Sequence, residues 1–145
     1  MKISGSYTVP APRERTYQLL QDPAVLAKCM PGTDHLDKVG DDEYEMKMKM
    51  AIASIGGLFA GKVRLADRNP PQSFKLIVDG SGKIGFVKGE GVLTLESSGE
   101  TTDVKYEGEV QVGGTIASVG QRLLDTTAKL IIKKFFEKLS EAVVI

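Results

Sequence analysis

Six stretches of this chain alternate apolar and polar residues with a period of two. One stretch near its end instead repeats with the period of a helix. Residues 43–53 carry the alternation most strongly: Tyr44, Met46, Met48, Met50 and Ile52 share a face opposite Glu45, Lys47 and Lys49. Ile3, Gly5, Tyr7 and Val9 do the same in 2–9. So do Phe59, Gly61, Val63 and Leu65 in 58–67, and Phe74, Leu76, Val78 and Gly80 in 73–80. Residues 84–96 group Gly85, Val87, Gly89, Gly91, Leu93 and Leu95. In 103–112, Val104, Tyr106, Gly108, Val110 and Val112 oppose Asp103, Lys105, Glu107 and Glu109. A weaker strand is expected over 33–39. A strand with one wet face belongs to an antiparallel sheet rather than a parallel one buried on both sides. Turn chemistry at Gly40-Asp41-Asp42, Asn69-Pro70-Pro71, Gly80-Ser81-Gly82 and Ser97-Ser98-Gly99 joins consecutive strands.

Two short helices are expected between the first two strands. Pro12 and Pro23 stand at tolerated first positions, Asp22 is an N-cap, and Pro31-Gly32 ends the second helix. The long helical stretch, about 115–143, would run roughly 40 Å. A compact chain of 145 residues has a diameter of only about 38 Å. The helix therefore has to lie right across the sheet. Its core stripe reads Ile116, Val119, Leu123, Thr127, Leu130 and Ile131. A second apolar line, Ile132, Phe136 and Val143, is either covered by the short helices or left as a docking ridge beside Lys133, Lys134 and Lys138.

Width then becomes the constraint. Seven strands at ~4.8 Å spacing make a sheet about 30 Å wide, and one helix is only ~10–12 Å across. The strips beside the helix need large side chains or a guest, yet Gly85, Gly89 and Gly91 share one inward face, with Gly61 and Gly108 on neighbouring strands. Those glycines also permit the bends that curl a sheet. The expected cavity is lined from the sheet by Met48, Met50, Phe59, Val63, Phe74, Leu76, Val87, Tyr106 and Val110, with Tyr106 as the one polar contact. Leu123, Thr127 and Ile131 line it from the helix. Methionine suits a wall that adapts to apolar shapes, although a methionine stripe is also ordinary core. The stretch Ala53–Phe59 reads as a loop carrying exposed apolar residues and two glycines. It is either a lid or membrane-touching tip, or a turn whose Ile55 and Leu58 tuck under the helix. Ile55, Gly56, Gly57 and Leu58 thus form one side of the expected mouth, and Ile116, Val119 and Gly120 the other.

Composition narrows the function. Nineteen basic residues balance nineteen acidic ones, which removes the electrostatic case for nucleic acid. One cysteine, Cys29, and one histidine, His35, leave nothing for a Cys/His metal site and no intrachain disulfide. Separated by Pro31-Gly32 and lacking an orienting partner, they read as a buried thiol and a surface imidazole. Gly80-Ser81-Gly82-Lys83-Ile84-Gly85 fits a G-x-G-x-x-G pattern, but a strand follows it where the dinucleotide fingerprint requires a helix, so it is a hairpin turn. Carboxylates such as Glu43, Glu45, Glu107 and Glu109 fall on the wet faces. No catalytic constellation emerges, and no signal peptide or membrane span is recognisable. The expectation is one cytoplasmic domain over residues 1–145, of α+β class, and not an enzyme.

The order of strand, two short helices, six-stranded meander and long C-terminal helix resembles the helix-grip (START/Bet v 1-like, SRPBCC) superfamily. Asp22-Pro23-Ala24-Val25-Leu26-Ala27-Lys28-Cys29-Met30-Pro31-Gly32 is similar to the D-P-x-x-L-A-x-C-I-P-G motif of the carbon monoxide dehydrogenase CoxG family. Val110-Gln111-Val112-Gly113-Gly114, running into Ile116-Ala117-Ser118-Val119-Gly120-Gln121-Arg122-Leu123, is similar to its V-G-G-x-(I/L)-A-x-(L/V)-G-Q-R-L signature. Phe135-Phe136 matches its downstream aromatic pair. The resemblance implies a seven-stranded, strongly curved antiparallel sheet with the long helix across its concave face. It also implies an accessory protein of a molybdenum-hydroxylase-type dehydrogenase that holds an isoprenoid quinone or other lipid and has no cofactor of its own. The alternative is a recruitment or assembly adaptor without a ligand. Some members end in a membrane anchor. None follows Ile145, so the expected contact with the inner membrane face is transient. By the same resemblance Gly113 and Gly114 make the strand-to-helix turn and Gly120 allows close helix–sheet approach, while Arg122 either marks the mouth or forms a surface ion pair.

Overall fold

The alternating segments form a single antiparallel sheet. In the computed structural model, which describes residues 1–52 and 54–143 with the side chains of Asp34 and His35 excepted, the chain runs β1 (Lys2–Val9), α1 (Arg13–Gln21) and α2 (Pro23–Cys29). The meander follows: β2 (Thr33–Gly40), β3 (Glu43–Ile52), β4 (Ile55–Asn69), β5 (Ser73–Gly82), β6 (Gly85–Ser98) and β7 (Thr101–Gly113). A single 3₁₀ turn (Thr115–Val119) then leads into α3 (Gln121–Val143). The strand order is β1-β7-β6-β5-β4-β3-β2, so every meander strand pairs with its sequence neighbour and β1 closes the far side against β7. This is the seven-stranded α+β arrangement the periodicity requires.

The sheet curls hard, and two glycines show why. A Cβ on Gly61 would strike the Asp79 carbonyl of the adjacent strand, and one on Gly108 would lie 2.5 Å from the Glu90 oxygen. Strands bent this closely together leave no room for a side chain at either place.

The long helix is shorter than its apolar stripe. Gly114 (φ 83°) and Gly120 (φ 99°) take conformations that L side chains rarely adopt. The chain turns at both, and Ile116 lies on the 3₁₀ turn instead of the helix. The 23 residues of α3 still span ~35 Å.

Two other expectations change. Residues 55–59 are strand and not loop: β4 begins at Ile55, and Ile55, Gly56, Gly57 and Leu58 pair with Ile52, Ala51, Met50 and Lys49 in a tight hairpin (Ala53 lies outside the described residues). The alternation simply continues to the tip, and Leu58, 58% exposed, does not tuck under α3. Nor is there an Ile132/Phe136 ridge. Phe136 is 4% exposed and stacks on Tyr7 with ring centroids 4.7 Å apart, while Ile132 packs against the same core. Leu130, placed in the core stripe by periodicity, is 48% exposed.

The short helices are pinned by side-chain hydrogen bonds. Asp22 Oδ1 caps α2 by accepting from the Ala24 N–H at 2.9 Å. The Thr102 hydroxyl on β7 donates to the Ala11 carbonyl at 2.7 Å, the Thr16 hydroxyl on α1 donates to Pro12 O at 3.0 Å, and Tyr17 Oη donates to Ser73 O at 3.0 Å. These bonds fix α1 over the end of the sheet where β5 begins.

Candidate functional site

Most buried apolar residues fall into two separate clusters, with Leu26, Ala27, Met46, Met48 and Val63 buried outside both. One gathers α1, the end of α2 and the far half of α3 around Leu20, Phe74, Leu95, Val104, Phe136 and Leu139. The other, at the β3–β4 hairpin end, joins Ile52, Phe59, Ile116 and Leu124. Elsewhere on the inner face burial is uneven: Met46, Met48 and Val63 on β3 and β4 are buried, but the positions beside them on β5, β7 and α3 are not. Leu76 and Val78 on β5, Val110 on β7, and Thr127 and Ile131 on α3 are only half-buried, although they occupy the middle of the inner face and of the helix. In a solid core the middle is the driest part.

The register explains the unevenness. Leu76 stands opposite Gly91, and Gly91 opposite Gly108. Val78 stands opposite Gly89, and Gly89 opposite Val110. The centre of the concave face is thus paved with glycine. The backbone of α3 comes closest to β1 and β3, not to the central β5 and β6. The inner face beneath α3 is therefore apolar and glycine-rich at its centre, with a packed cluster at each end.

The residues expected to line the cavity divide accordingly. Phe74, Leu76 and Tyr106 belong to the far cluster. Met50, Phe59, Val87 and Leu123 belong to the hairpin-end cluster, as do the mouth residues Ile116 and Val119. Met48, Val63, Val110, Thr127 and Ile131 belong to neither cluster; Met48 and Val63 are buried, and the other three half-buried. Of the remaining mouth residues, Ile55 and Gly57 are half-buried, while Gly56, Leu58 and Gly120 are exposed. Ile84, in the β5–β6 turn, lies 3.4 Å from the position of a Gly57 side chain, and its carbonyl accepts from the Ile116 N–H at 2.7 Å. The hairpin tip, this turn and the 3₁₀ turn therefore form one end wall.

Val78 and Leu124 were absent from the expected lining. The parity of β5 already pointed to Val78; Leu124 lies one position away from the expected helix stripe. Arg122 is exposed and forms no ion pair among the described residues.

Tyr106, expected as the polar contact, sits on β7 opposite Gly5 of β1. Its hydroxyl is 2.6 Å from where a Gly5 side chain would begin, and its ring stacks with Tyr7 and Phe136 at centroid distances of 6.3 Å. Burial pushes its phenol pKa up, with a smaller contribution from Tyr7. Burial likewise raises the Cys29 thiol, which is 1% exposed. The pairing of Cys29 with His35 lies outside the described residues. Among those residues no group of His, Cys, Asp and Glu could hold a metal ion. Two shallow open grooves lie elsewhere. One of about 360 Å³ follows Glu45, Lys47, Ala60 and Lys62, and one of about 400 Å³ lies where Tyr7 and Thr8 meet Phe136 and Glu137. Neither includes the glycine-paved centre.

Solved structures with this architecture define the class. A START superfamily protein from Mycobacterium smegmatis superposes with a TM-score of 0.75 at 13% identity, over 98% of this chain and 96% of that one. The Zhui aromatase/cyclase from Streptomyces sp. R1128 gives 0.67 at 11% identity, over 98% and 92%. The chain has a START-like, helix-grip fold. A conserved protein from Geobacillus kaustophilus shares 34% identity and a TM-score of 0.95, over 99% of this chain and 95% of that one. The model of the carbon monoxide dehydrogenase CoxG family matches residues 5–144, and the chain belongs to that family. No curated protein matches it in sequence. No helix among the described residues is long and apolar enough to cross a membrane.

Proposed function

We infer that this protein is a non-enzymatic carrier of an apolar small molecule, held in a trough between α3 and the inner sheet face. The proposed ligand is an isoprenoid quinone or another lipid, in keeping with membership of the CoxG family. The observation carrying this reading is the split core: two packed clusters, with Val78, Val110 and Ile131 only half-buried beside the glycines of β6 and β7. Apolar surface left accessible in the middle of a domain gains roughly 25 cal/mol per Å² when a guest covers it. The inward positions of β3–β7 carry Met, Phe, Ile, Val, Leu and Gly, with Tyr44, Tyr106 and Thr102 as the polar exceptions and no charged side chain. Such a wall selects by shape and has little means of moving protons. Membership of the CoxG family supports a working partnership with a carbon monoxide dehydrogenase or related molybdenum-hydroxylase-type enzyme on the cytoplasmic side of the membrane, the carrier exchanging ligand there. An adaptor without a ligand loses its best surface, because Phe136 is buried.

Native mass spectrometry of protein purified from its own cells tests the reading. A copurifying lipid-sized mass supports it. Protein that is ligand-free and also fails to bind a soluble quinone analogue refutes it. Leu76→Trp places an indole over the glycine floor and should weaken analogue binding at least about tenfold while unfolding stays cooperative. Unchanged affinity would mean that the ligand lies elsewhere.

A further inference from the structure

The chain is neutral overall, yet its charges are not evenly spread. Residues 50–61, 80–89 and 110–124 contain no aspartate or glutamate. The topology brings these three segments together: the β3–β4 hairpin tip, the β5–β6 turn, and the end of β7 with the 3₁₀ turn and the start of α3. The opposite end of the same strands carries Asp41, Asp42, Asp67, Glu96 and Glu100. The molecule is therefore polarised along its strands.

The acid-free end is basic and oily. Lys83 lies in the β5–β6 turn, Lys49 stands opposite Leu58 in the hairpin, and Arg122 opens α3. None of these is in an ion pair among the described residues. Lys88 is also unpaired among them, and its ammonium rests 6.0 Å from the centre of the Phe86 ring. The nearest following carboxylate on α3, Asp125, accepts a hydrogen bond from Gln121 Nε2 at 3.0 Å. Among these cations stand Leu58, 58% exposed, and Phe86, 39% exposed. Apolar side chains ringed by unpaired cations match an anionic lipid surface, where the cations meet phosphate groups and the apolar tips enter the acyl boundary. An acidic protein surface would satisfy the lysines but leave Leu58 and Phe86 with nothing to enter.

We propose that this end docks on an anionic phospholipid bilayer, with Leu58 and Phe86 inserted and Lys83 and Lys88 on the headgroups. The surface deepens the carrier reading and rests on it for its purpose. It places the end wall built from the hairpin tip, Ile84 and the 3₁₀ turn against the lipid, so that a guest crosses there without passing through water. Binding to the bilayer itself needs no guest.

Cosedimentation with phosphatidylcholine vesicles, with and without roughly 30% phosphatidylglycerol, tests this. The protein should pellet with the anionic vesicles only, and lose that binding as salt rises from about 0.05 to about 0.5 M. The double variant Lys83→Glu/Lys88→Glu should bind at least about tenfold more weakly. Lys105→Glu/Lys133→Glu, the same charge change away from this end, should bind nearly as the parent does. Leu58→Ser should weaken binding several-fold without unfolding the protein, since the side chain is already exposed. Circular dichroism confirms folding. The proposal is overturned by failure to pellet with anionic vesicles, by equal losses in the two double variants, or by capture of an acidic protein without vesicle binding. Quinone-analogue binding measured in lipid-free solution separates the two readings: if the trough reading fails, vesicle binding persists, and if the docking reading fails, analogue binding persists.

Discussion

Truncating one leucine in a packed cluster and one beside the proposed trough measures whether the middle of the domain is hollow. Leu139 is fully buried in the far cluster, on the inner side of α3. Leu139→Ala loses the transfer free energy of the removed methyl groups and leaves a cavity that its neighbours cannot close. Such changes cost about 3 kcal/mol, within a range of ~2–5. Leu76 is half-buried at the edge of the same cluster and stands opposite Gly91, so on the carrier reading its removal enlarges a space that already exists. Without the cavity contribution, and with only part of the side chain's area lost, Leu76→Ala should cost about 1 kcal/mol. Urea unfolding followed by circular dichroism resolves that gap, because the chain has no tryptophan whose loss or shift would confuse it. In thermal unfolding the Leu139 variant should melt on the order of 10 °C lower, and the Leu76 variant only a few degrees. A quinone analogue at 100 times its dissociation constant should add ~2.7 kcal/mol to the parent. It should add less to Leu76→Ala, so that the cost of that truncation grows when ligand is present. Equal losses for the two leucines without ligand would mean that the centre is as well packed as the ends, and the trough argument would collapse.

Two further outcomes follow from the same geometry. Gly61→Ala puts a methyl group into the Asp79 carbonyl and should cost more than about 3 kcal/mol or prevent folding. Gly89→Ala, whose nearest neighbours would be Val110 Cγ2 at 3.3 Å and Glu109 O at 3.4 Å, should cost under about 1 kcal/mol, and paired urea curves check the contrast. The raised Cys29 thiol makes stability fall at alkaline pH. Its folded pKa lies above the ordinary value of 9.0, so the protonated form is favoured in the native state; that contribution is complete below about pH 9 and disappears as pH rises through the folded value. Stability measured from pH 7 to 11 should decline less steeply in Cys29→Ala than in the parent, and parallel curves would contradict the assignment.

The strands and the site were legible to different degrees. Period-two alternation placed six of the seven strands to within a few residues, because each has one wet face and sheds its polar residues there, while β2 showed only as a weaker strand. It failed at 55–59, where two glycines and exposed apolar residues look like a loop. Nothing local says that Ile55, Gly56, Gly57 and Leu58 will find partners on β3, since pairing is made across the hairpin. Helical periodicity ran through Gly114 and Gly120, whose left-handed backbone is invisible in a plot of apolar positions. It also put Leu130 inside and left Phe136 undecided, because which face of α3 is covered depends on where Tyr7 stands after the sheet has closed.

Order along the chain thus settled the element types, the antiparallel pairing and the family signatures, all of which are carried by residues a few positions apart. Only the folded molecule decided how the inner face is filled. The glycines of β6 and β7 meet across strands, the ends of α3 seat in two clusters, and the carboxylate-free segments converge from three distant stretches of chain. Those are distances between remote residues, set by sheet curvature and by the length of one helix, and no local pattern encodes them.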